Sequence, residues 1–170
     1  VLLALSFPVQ AQQSKKVPRI GFPDPGTPSS SSVRIEAFRQ GLRELGYVEG
    51  QNIVIEYRFA DGKLDRLPDL AAELVRLKVD VIVTGGGPPT RAAQNATKLI
   101  PIVMTNISDP VAIGFVASLA RPGGNITGLS SMQNELGGKR LELLKEVIPQ
   151  ISRVAVLVNR DVPGYGVQMK

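Results

Sequence analysis

The sequence predicts an α/β fold, a doubly wound parallel sheet with helices on both of its faces. Short apolar runs alternate with segments in which apolar residues recur three or four positions apart, and these are the periods of strands and helices. Successive strands are about ten or more residues apart, and connections of that length join parallel strands through a crossover. Two runs, Val79–Val83 and Val154–Val158, are apolar almost throughout, which is typical of strands that helices cover on both faces.

The first half of the chain predicts two strands, each followed by a helix. Arg19–Phe22 is a short strand, and a Pro/Gly/Ser loop leads from it to a helix that ends at Gly46, a residue suited to a helix C-terminus. Asn52–Phe59 alternates between two sets of side chains, which is the period of a strand. Apolar residues at helical spacing mark the two helices: Ile35, Phe38, Leu42 and Leu45 in the first, and Leu64, Leu67, Leu70, Ala71, Leu74 and Val75 in the second.

The second half continues the alternation of strands and helices. It adds a strand at Val79–Val83, a short helix at Thr90–Lys98 and a strand at Ile100–Met104. Pro110–Leu119 is predicted as another short helix, and Arg121–Gly124 as a turn. A longer helix before the last strand is marked by Leu136, Leu141, Leu144, Val147 and Ile148.

The composition excludes several classes of function. The chain has 170 residues, of which 43% are hydrophobic and 21% charged, and this suits a single globular domain. It contains no cysteine and no histidine, which rules out disulfides, thiolate or imidazole metal ligands and histidine-dependent triads within it. Aromatic residues make up 5%, and the net charge of +5 comes from basic residues scattered among carboxylates. We therefore predict no nucleic-acid surface, no metal site and no cofactor.

The first eleven residues, Val1–Ala11, resemble the second half of a secretory signal. They are uncharged and mostly apolar, and Val9 and Ala11 place small residues at the positions that a signal peptidase recognises. A membrane span takes about 20 residues, and Pro8 argues against a buried first strand, so we expect cleavage after Ala11. We also expect the chain to be a fragment, because it stops soon after the strand predicted at Val154–Val158.

Four segments of the sequence form the candidate site. Ligands of doubly wound sheets bind outside the carboxyl ends of the strands, in the loops that lead onward from them. This rule selects Pro23–Ser32, Thr84–Thr90, Thr105–Pro110 and Thr127–Ser131. The last three contain side chains or backbone groups with chemistry suited to a small polar ligand.

The glycine-rich segment Thr84–Gly87 follows a strand and precedes a helix. Free N–H groups at a helix start favour an anion such as a carboxylate, and we assign this role to the backbone near Gly86 and Gly87. No Lys-Ser or Lys-Thr pair follows, and the spacing is not GxGxxG, so neither a P-loop nor a dinucleotide site is predicted. The alternative is a tight turn that needs glycine only for its dihedral angles.

Polar side chains follow the next strand and a later turn. Asp109 could bind a ligand ammonium, with Asn106 and Ser108 as hydrogen-bonding neighbours. The alternative role for Asp109, which stands directly before a proline, is to cap a helix. Ser130 and Ser131 suit either a polar lining or an ordinary linker, and the chain has no histidine to serve them as the usual base of a nucleophile.

Four stretches of the sequence resemble one protein family. They are GLRELGYVEGQNI (Gly41–Ile53), LPDLAAELVRLKVDVIVTGG (Leu67–Gly86), SLARPGGNITGLS (Ser118–Ser130) and GKRLELLKEVIP (Gly138–Pro149). In order and with few gaps, they are similar to the ABC transporter substrate-binding proteins related to the tryptophan/tyrosine-type uptake receptors. The resemblance implies a type I periplasmic-binding-protein fold, in which two doubly wound lobes close on a ligand. Besides the signal remnant at 1–11, it implies three regions: a first lobe at 17–130, a crossover helix region at 131–150 and the truncated start of a second lobe at 151–170.

By the same resemblance, the chain is a solute receptor and not an enzyme. Its expected partners are a small polar ligand, such as an amino acid, and a membrane permease. We expect a periplasmic or other extracytoplasmic location and a monomer when the protein is full length. No residue is assigned to catalysis or to a metal. The predicted ligand-binding residues are Asp24, Thr84, Gly85, Gly86, Gly87, Thr90, Asn106, Ser108, Asp109, Ser130 and Ser131.

Two other classes of protein remain open at this point. The effector-binding lobe of a transcription regulator shares this fold, but it should carry an N-terminal helix-turn-helix where this chain has the signal-like segment. A small nucleotide-dependent α/β enzyme would need a phosphate-binding motif or a catalytic base, and the sequence contains neither.

Overall fold

Five parallel strands form one sheet in the computed structural model, which describes residues 16–131 and 136–156. The strands are β1 (Arg19–Asp24), β2 (Val54–Phe59), β3 (Val81–Gly85), β4 (Ile102–Ile107) and β5 (Ile126–Ser130). Their order across the sheet is β2-β1-β3-β4-β5, and each neighbouring pair is parallel. The prediction of a parallel α/β sheet is confirmed.

The helices that accompany this sheet in the described ranges follow the predicted alternation. They are α1 (Ser32–Glu44), α2 (Leu67–Arg76), α3 (Gly87–Ala96) and α4 (Gly137–Val147), and one 3₁₀ turn (Leu64–Arg66) leads into α2. Prolines stand in the first turns of α2 and α3, where their missing N–H groups have no intrahelical partner to lose. Among the described helices, we find none with the length and hydropathy to cross a membrane.

Helices α1, α2 and α3 pack on opposite faces of the sheet, as a doubly wound fold requires. On one face, α1 contributes Ile35 to a buried cluster with residues of β1, β2 and β3. On the other face, α2 and α3 contribute Leu74 and Ala93 to a second cluster with residues of β3, β4 and β5. Ile82 and Val83 of β3 belong to different clusters, because successive side chains of a strand point to opposite faces.

Helix α2 lies directly on the backbone of β1 at Gly21. A Cβ atom at this position would lie 3.1 Å from Leu74 Cδ1 and 3.2 Å from Val79 Cγ2, closer than most side chains approach each other. Both of these neighbours are buried. The absence of a side chain at Gly21 therefore sets how closely the helix approaches the sheet.

The short helix predicted over Pro110–Leu119 is wrong, since the segment forms consecutive turns. The N–H groups of Phe115 and Val116 both donate to the carbonyl of Pro110, at 2.8 and 3.3 Å, and Gly114 has a φ of 79°. Phe115 and Val116 are consequently both buried, 5% and 7% exposed, in the cluster beneath α2 and α3.

The loop predicted at Thr127–Ser131 is also wrong, because Ile126–Ser130 forms the strand β5. Only Ile126 of this edge strand is buried, so its sequence shows neither a fully apolar run nor a clear alternation. The strand approaches β4 very closely at Gly128, which has a φ of 144°. A Cβ atom there would lie 1.9 Å from the Met104 carbonyl oxygen. Pairing with β4, and not the local sequence pattern, therefore determines that this segment is a strand.

Smaller differences occur at the ends of elements. α3 begins at Gly87 and not at Thr90, and β4 continues to Ile107. Leu45 and Leu64, which the sequence assigned to the apolar stripes of the first two helices, are 75% and 44% exposed. Leu45 follows the end of α1 and Leu64 precedes the start of α2. Residues 154–156 form no strand, and the remainder of the strand predicted there lies outside the described residues.

Candidate functional site

The four predicted segments meet at one edge of the sheet. The strand order places the carboxyl ends of β1, β3, β4 and β5 side by side. Adjacent loops bond to each other there: Gly86 N–H donates to Thr105 O at 3.2 Å, and Ser131 N–H donates to Ile107 O at 2.7 Å. The chain leaves β1 towards one face of the sheet and β3 towards the other, so a crevice is expected between these two strands.

Asp24 ends β1 and is a buried anchor for the loop that follows. The residue is 1% exposed. Its Oδ1 accepts hydrogen bonds from Gly26 N–H at 2.8 Å and from the Ser31 hydroxyl at 2.7 Å, and its Oδ2 accepts one from Arg34 Nη2 at 2.5 Å. Both carboxylate oxygens are thus engaged within the protein. Asp24 contributes to this edge of the sheet by holding the side chain of Arg34 in place.

Arg34 lies at the candidate site and was not among the predicted residues. It lies in the first turn of α1, and its side chain is 51% exposed. Nη2 donates to Asp24 and to Ser31 Oγ at 3.0 Å, while an ideal Cβ on Gly85 would lie 3.8 Å from Arg34 Nε. A cation in the first turn opposes the helix dipole. That unfavourable placement is the signal in the sequence that could have identified Arg34.

The glycine loop has fewer free donors than its sequence indicates. Gly86 has a φ of 88°, and its N–H is already bonded to Thr105 O. Pro88 and Pro89 have no N–H to offer. Among the first residues of α3, this leaves the Gly87 N–H as the donor at the helix start. The loop therefore combines the tight turn that we considered with a single backbone donor for an anion.

Thr84 and Thr90 support the glycine loop from inside. Both residues are 0% exposed, and their hydroxyl oxygens are 2.7 Å apart. Thr90 Oγ1 donates to Gly86 O at 2.7 Å, so the hydroxyl of Thr84 must donate to Thr90. Thr105 Oγ1 adds a bond to Thr84 O at 3.1 Å. These threonines fix the shape of the edge and lie beneath its surface.

Asn106 lies at an irregularity of β4. Its φ is 55°, in the left-handed region that asparagine tolerates better than most residues, and the pairing of β4 with β5 shifts register between Met104 and Ile107. The side chain of Asn106 is exposed at the carboxyl edge. The backbone strain therefore presents a polar amide at the place where the sequence analysis expected a ligand contact.

Asp109 caps a turn and also borders the edge. Its Oδ1 accepts a hydrogen bond from Ala112 N–H at 2.9 Å, and its backbone carbonyl accepts one from Ile113 N–H at 3.2 Å. The residue is half-buried, and within the described residues its Oδ2 accepts no hydrogen bond. Capping, which we considered as an alternative to ligand binding, thus occupies one oxygen and leaves the other.

The serines at the end of β5 complete the edge. Ser130 is exposed, and its hydroxyl lies 3.5 Å from Ser108 O. Ser131 Oγ is buried and has no hydrogen-bond partner among the described residues. Ser108, Ser130 and Ser131 therefore lie together beside Asp109, on the β4–β5 side of the crevice.

A second concave surface lies between α1 and β2, with a volume of about 350 Å³. It is lined in part by Ile35, Tyr57, Phe59 and Arg39. Arg39 Nε donates to Glu49 at 2.7 Å and to the Tyr57 hydroxyl at 3.1 Å. Burial, together with the Glu49 carboxylate, raises the pKa of Tyr57 above its ordinary value of 10.0. Arg39 and Glu49 are therefore already paired with each other, in contrast to the partly free guanidinium of Arg34.

Comparison with known proteins matches this chain to one family over most of its length. The family profile described as "ABC transporter substrate binding protein" matches residues 28–166. A tyrosine-binding protein of Clostridioides difficile is 36% identical over 156 residues, which are 92% of this chain and 45% of that protein. The chain thus spans about half the length of the curated relative that it matches.

Solved structures agree in fold and in coverage. A conserved domain protein of Vibrio cholerae has a TM-score of 0.80 at 30% identity, over 91% of this chain and 51% of that one. A substrate-binding protein with adhesive properties from Clostridium difficile, in a ligand-free open state, has a TM-score of 0.69 at 33% identity, over 90% and 51%. A Streptococcus pneumoniae domain in complex with L-Trp has a TM-score of 0.75 at 25% identity, over 89% and 50%. The chain therefore belongs to the ABC transporter substrate-binding protein family, whose members bind solutes and are not enzymes.

Proposed function

We propose that this chain forms one lobe of an extracytoplasmic receptor that captures an amino acid and delivers it to an ABC permease. The observation that carries the proposal is the convergence of four polar segments at the carboxyl edge of adjacent strands, where ligands of doubly wound sheets bind. Two relatives support the ligand class: one is named for tyrosine, and another was solved with L-Trp.

The edge has groups for both charges of an amino acid. Gly87 N–H lies at the start of α3, where the helix dipole favours a carboxylate. Asp109 Oδ2 is the acceptor for the ligand ammonium, and the Asn106 amide and the Ser130 hydroxyl complete the polar lining. Asp24, Thr84 and Thr90 hold these groups in place without touching the ligand.

The remaining contacts would come from a second lobe that closes over the ligand. In such a receptor the ligand binds the closed state better than the open one, and the closed state is the one that the permease recognises. Val1–Ala11 would be the remnant of the signal that exports the protein. In this proposal the full-length receptor is a monomer.

The test is a thermal-shift panel on the full-length protein whose reading frame contains this sequence. Tyrosine, tryptophan, other amino acids, small carboxylates and ATP are each added at the same concentration, in large excess over the protein, so that a ligand is present at about 100 times its dissociation constant. A true ligand adds about 2.7 kcal/mol and raises the Tm by about 2–4 °C. A shift with ATP and none with any amino acid would favour the enzyme alternative and sink the receptor proposal.

A charge-neutral variant tests the role of Asp109. Asp109→Asn keeps an oxygen that can accept from Ala112 N–H but removes the negative charge. We expect it to weaken amino-acid binding by about 10-fold or more, since hydrogen bonds to charged groups contribute about 1.5–3 kcal/mol. Asp80→Asn, at the opposite edge of the sheet, is the matched control and should bind normally. Equal affinity of the two variants would remove Asp109 from the site.

A further inference from the structure

We propose that Arg34 binds the ligand carboxylate and thereby selects free acids over amides and esters. This inference rests on the proposed function and names the cationic group of that same site. The sequence motifs alone had indicated the glycine loop, and not Arg34, as the group that binds the carboxylate.

The position of Arg34 is the first argument. Its side chain extends from the start of α1 to the end of β1 at Asp24 and passes close to Gly85 at the end of β3. These two strands are neighbours whose following helices lie on opposite faces. Ligands of doubly wound sheets bind in the crevice at this point of the topology.

The unused donors of Arg34 are the second argument. A guanidinium has five N–H donors, and the two on Nη2 are engaged by Asp24 and Ser31. Nε and Nη1 have no hydrogen-bond partner among the described residues. The side chain is half-exposed, so these donors are accessible, whereas Asp24 is buried and holds the group in one orientation. A cation held in this way loses little conformational entropy on binding.

The other groups near the crevice are less suited than Arg34 to bind a carboxylate. Gly86 N–H donates to Thr105 O, and only Gly87 remains as a backbone donor at the start of α3. Arg91, the arginine of α3, donates to Ile113 O and to Gln94, and lies over the ring of Phe115 at 4.6 Å. Of these two arginines, Arg34 is the exposed one, whereas Arg91 is half-buried with its guanidinium packed on Phe115, so Arg34 is the better placed to meet a carboxylate.

The test compares acids with amides in matched variants of the full-length protein. Calorimetry measures the binding of L-tyrosine and L-tryptophan and of their carboxamides to the wild type, to Arg34→Gln and to Arg43→Gln. Arg43 lies on the same helix, where it pairs with Glu36 on the exposed surface, and serves as the control. We expect the wild type and the control to prefer the acid by about 10- to 100-fold, and Arg34→Gln to lose this preference.

Folding defects are separated from binding defects by a second variant. Arg34→Gln leaves the buried Asp24 carboxylate without its cation, so the double variant Asp24→Asn/Arg34→Gln repeats the comparison with no charge left unpaired. Loss of the acid preference in a variant that melts cooperatively supports the proposal. A loss of affinity that is equal for acid and amide, or an acid preference that survives, overturns it and leaves the receptor proposal standing. If the wild type binds no amino acid of the thermal-shift panel, the receptor proposal fails and this inference fails with it.

Discussion

At each end of β1 an aspartate accepts a hydrogen bond from a basic side chain, but the two aspartates differ in burial. At the amino end, Asp80 accepts hydrogen bonds from Lys16 Nζ and, at 2.8 Å, from Arg19 N–H. At the carboxyl end, Asp24 binds Arg34, Ser31 and the backbone of Gly26. The Asp80 side chain is 36% exposed and its lysine 77%, whereas the Asp24 side chain is 2% exposed.

This difference in burial distinguishes a weak ion pair on the surface from a buried carboxylate on which the local structure depends. Exposed ion pairs contribute about 0–1 kcal/mol, because water competes for both partners. A buried carboxylate is tolerated only when its oxygens are fully bonded, so Asp24 requires its loop and its arginine to be in place. The fold thus has a rigid, preorganised edge where the ligand is proposed to bind, and a loosely held edge at the other end of the same strand.

The largest expected effect is that of removing each aspartate in turn. Asp24→Ala leaves Ser31 and Gly26 without their acceptor and frees Arg34, so we expect the free energy of unfolding to fall by about 3 kcal/mol. Asp80→Ala should lower it by about 1 kcal/mol or less. Urea denaturation at pH 7, followed by circular dichroism, measures both. Equal losses would show that burial does not distinguish the two ends.

A smaller effect is expected beneath the glycine loop. Thr90→Val preserves the shape of a fully buried side chain but removes the donor to Gly86 O and the acceptor of Thr84. We expect a loss of about 1–2 kcal/mol in the same denaturation experiment. Thr127→Val, on the exposed edge strand, is the control and should change stability by less than about 0.5 kcal/mol. If Thr90→Val left the free energy of unfolding unchanged, the hydroxyl pair of Thr84 and Thr90 would not stabilise the glycine loop.

The smallest effect is a pH dependence at the amino end of β1. The hydrogen bond from Lys16, and then that from Arg19 N–H, holds the pKa of Asp80 below its ordinary value of 3.8. A lowered pKa in the folded state stabilises the protein above pH 3.8, and this contribution is lost as the pH falls below that value. The difference in stability between wild type and Asp80→Asn should therefore be constant near neutral pH and vanish in acid. Lys16→Ala should remove most of it, and a difference that grows in acid would contradict the assignment.

The predicted fold succeeded where local periodicity reflects burial. β3 is covered on both faces and α2 presents one apolar stripe, and both patterns are visible in the sequence. β5 and the turns after Asp109 were missed because a neighbouring strand and a buried pair of side chains determine them. Local patterns carry little information about an edge strand with a single buried residue.

The four predicted segments do come together, while the ligand site itself stays a prediction. The rule for parallel sheets selected the four segments that the strand order brings to one edge. Arg34 was missed because its partner Asp24 is ten positions away and the contact depends on how α1 packs. Asp24, Thr84 and Thr90 were expected to meet the ligand, but their burial gives them supporting roles in the proposed site.

By itself, the sequence determined the fold class and the family resemblance, and it predicted the carboxyl edge as the place for a ligand. Periodicity and loop position are properties of the chain, and they follow from which residues must be buried. The tertiary structure alone decided which polar groups at that edge remain free. Gly86 N–H is used by Thr105, whereas Arg34 retains donors, because hydrogen bonds form between groups that folding brings within about 3 Å, whatever their separation in the sequence.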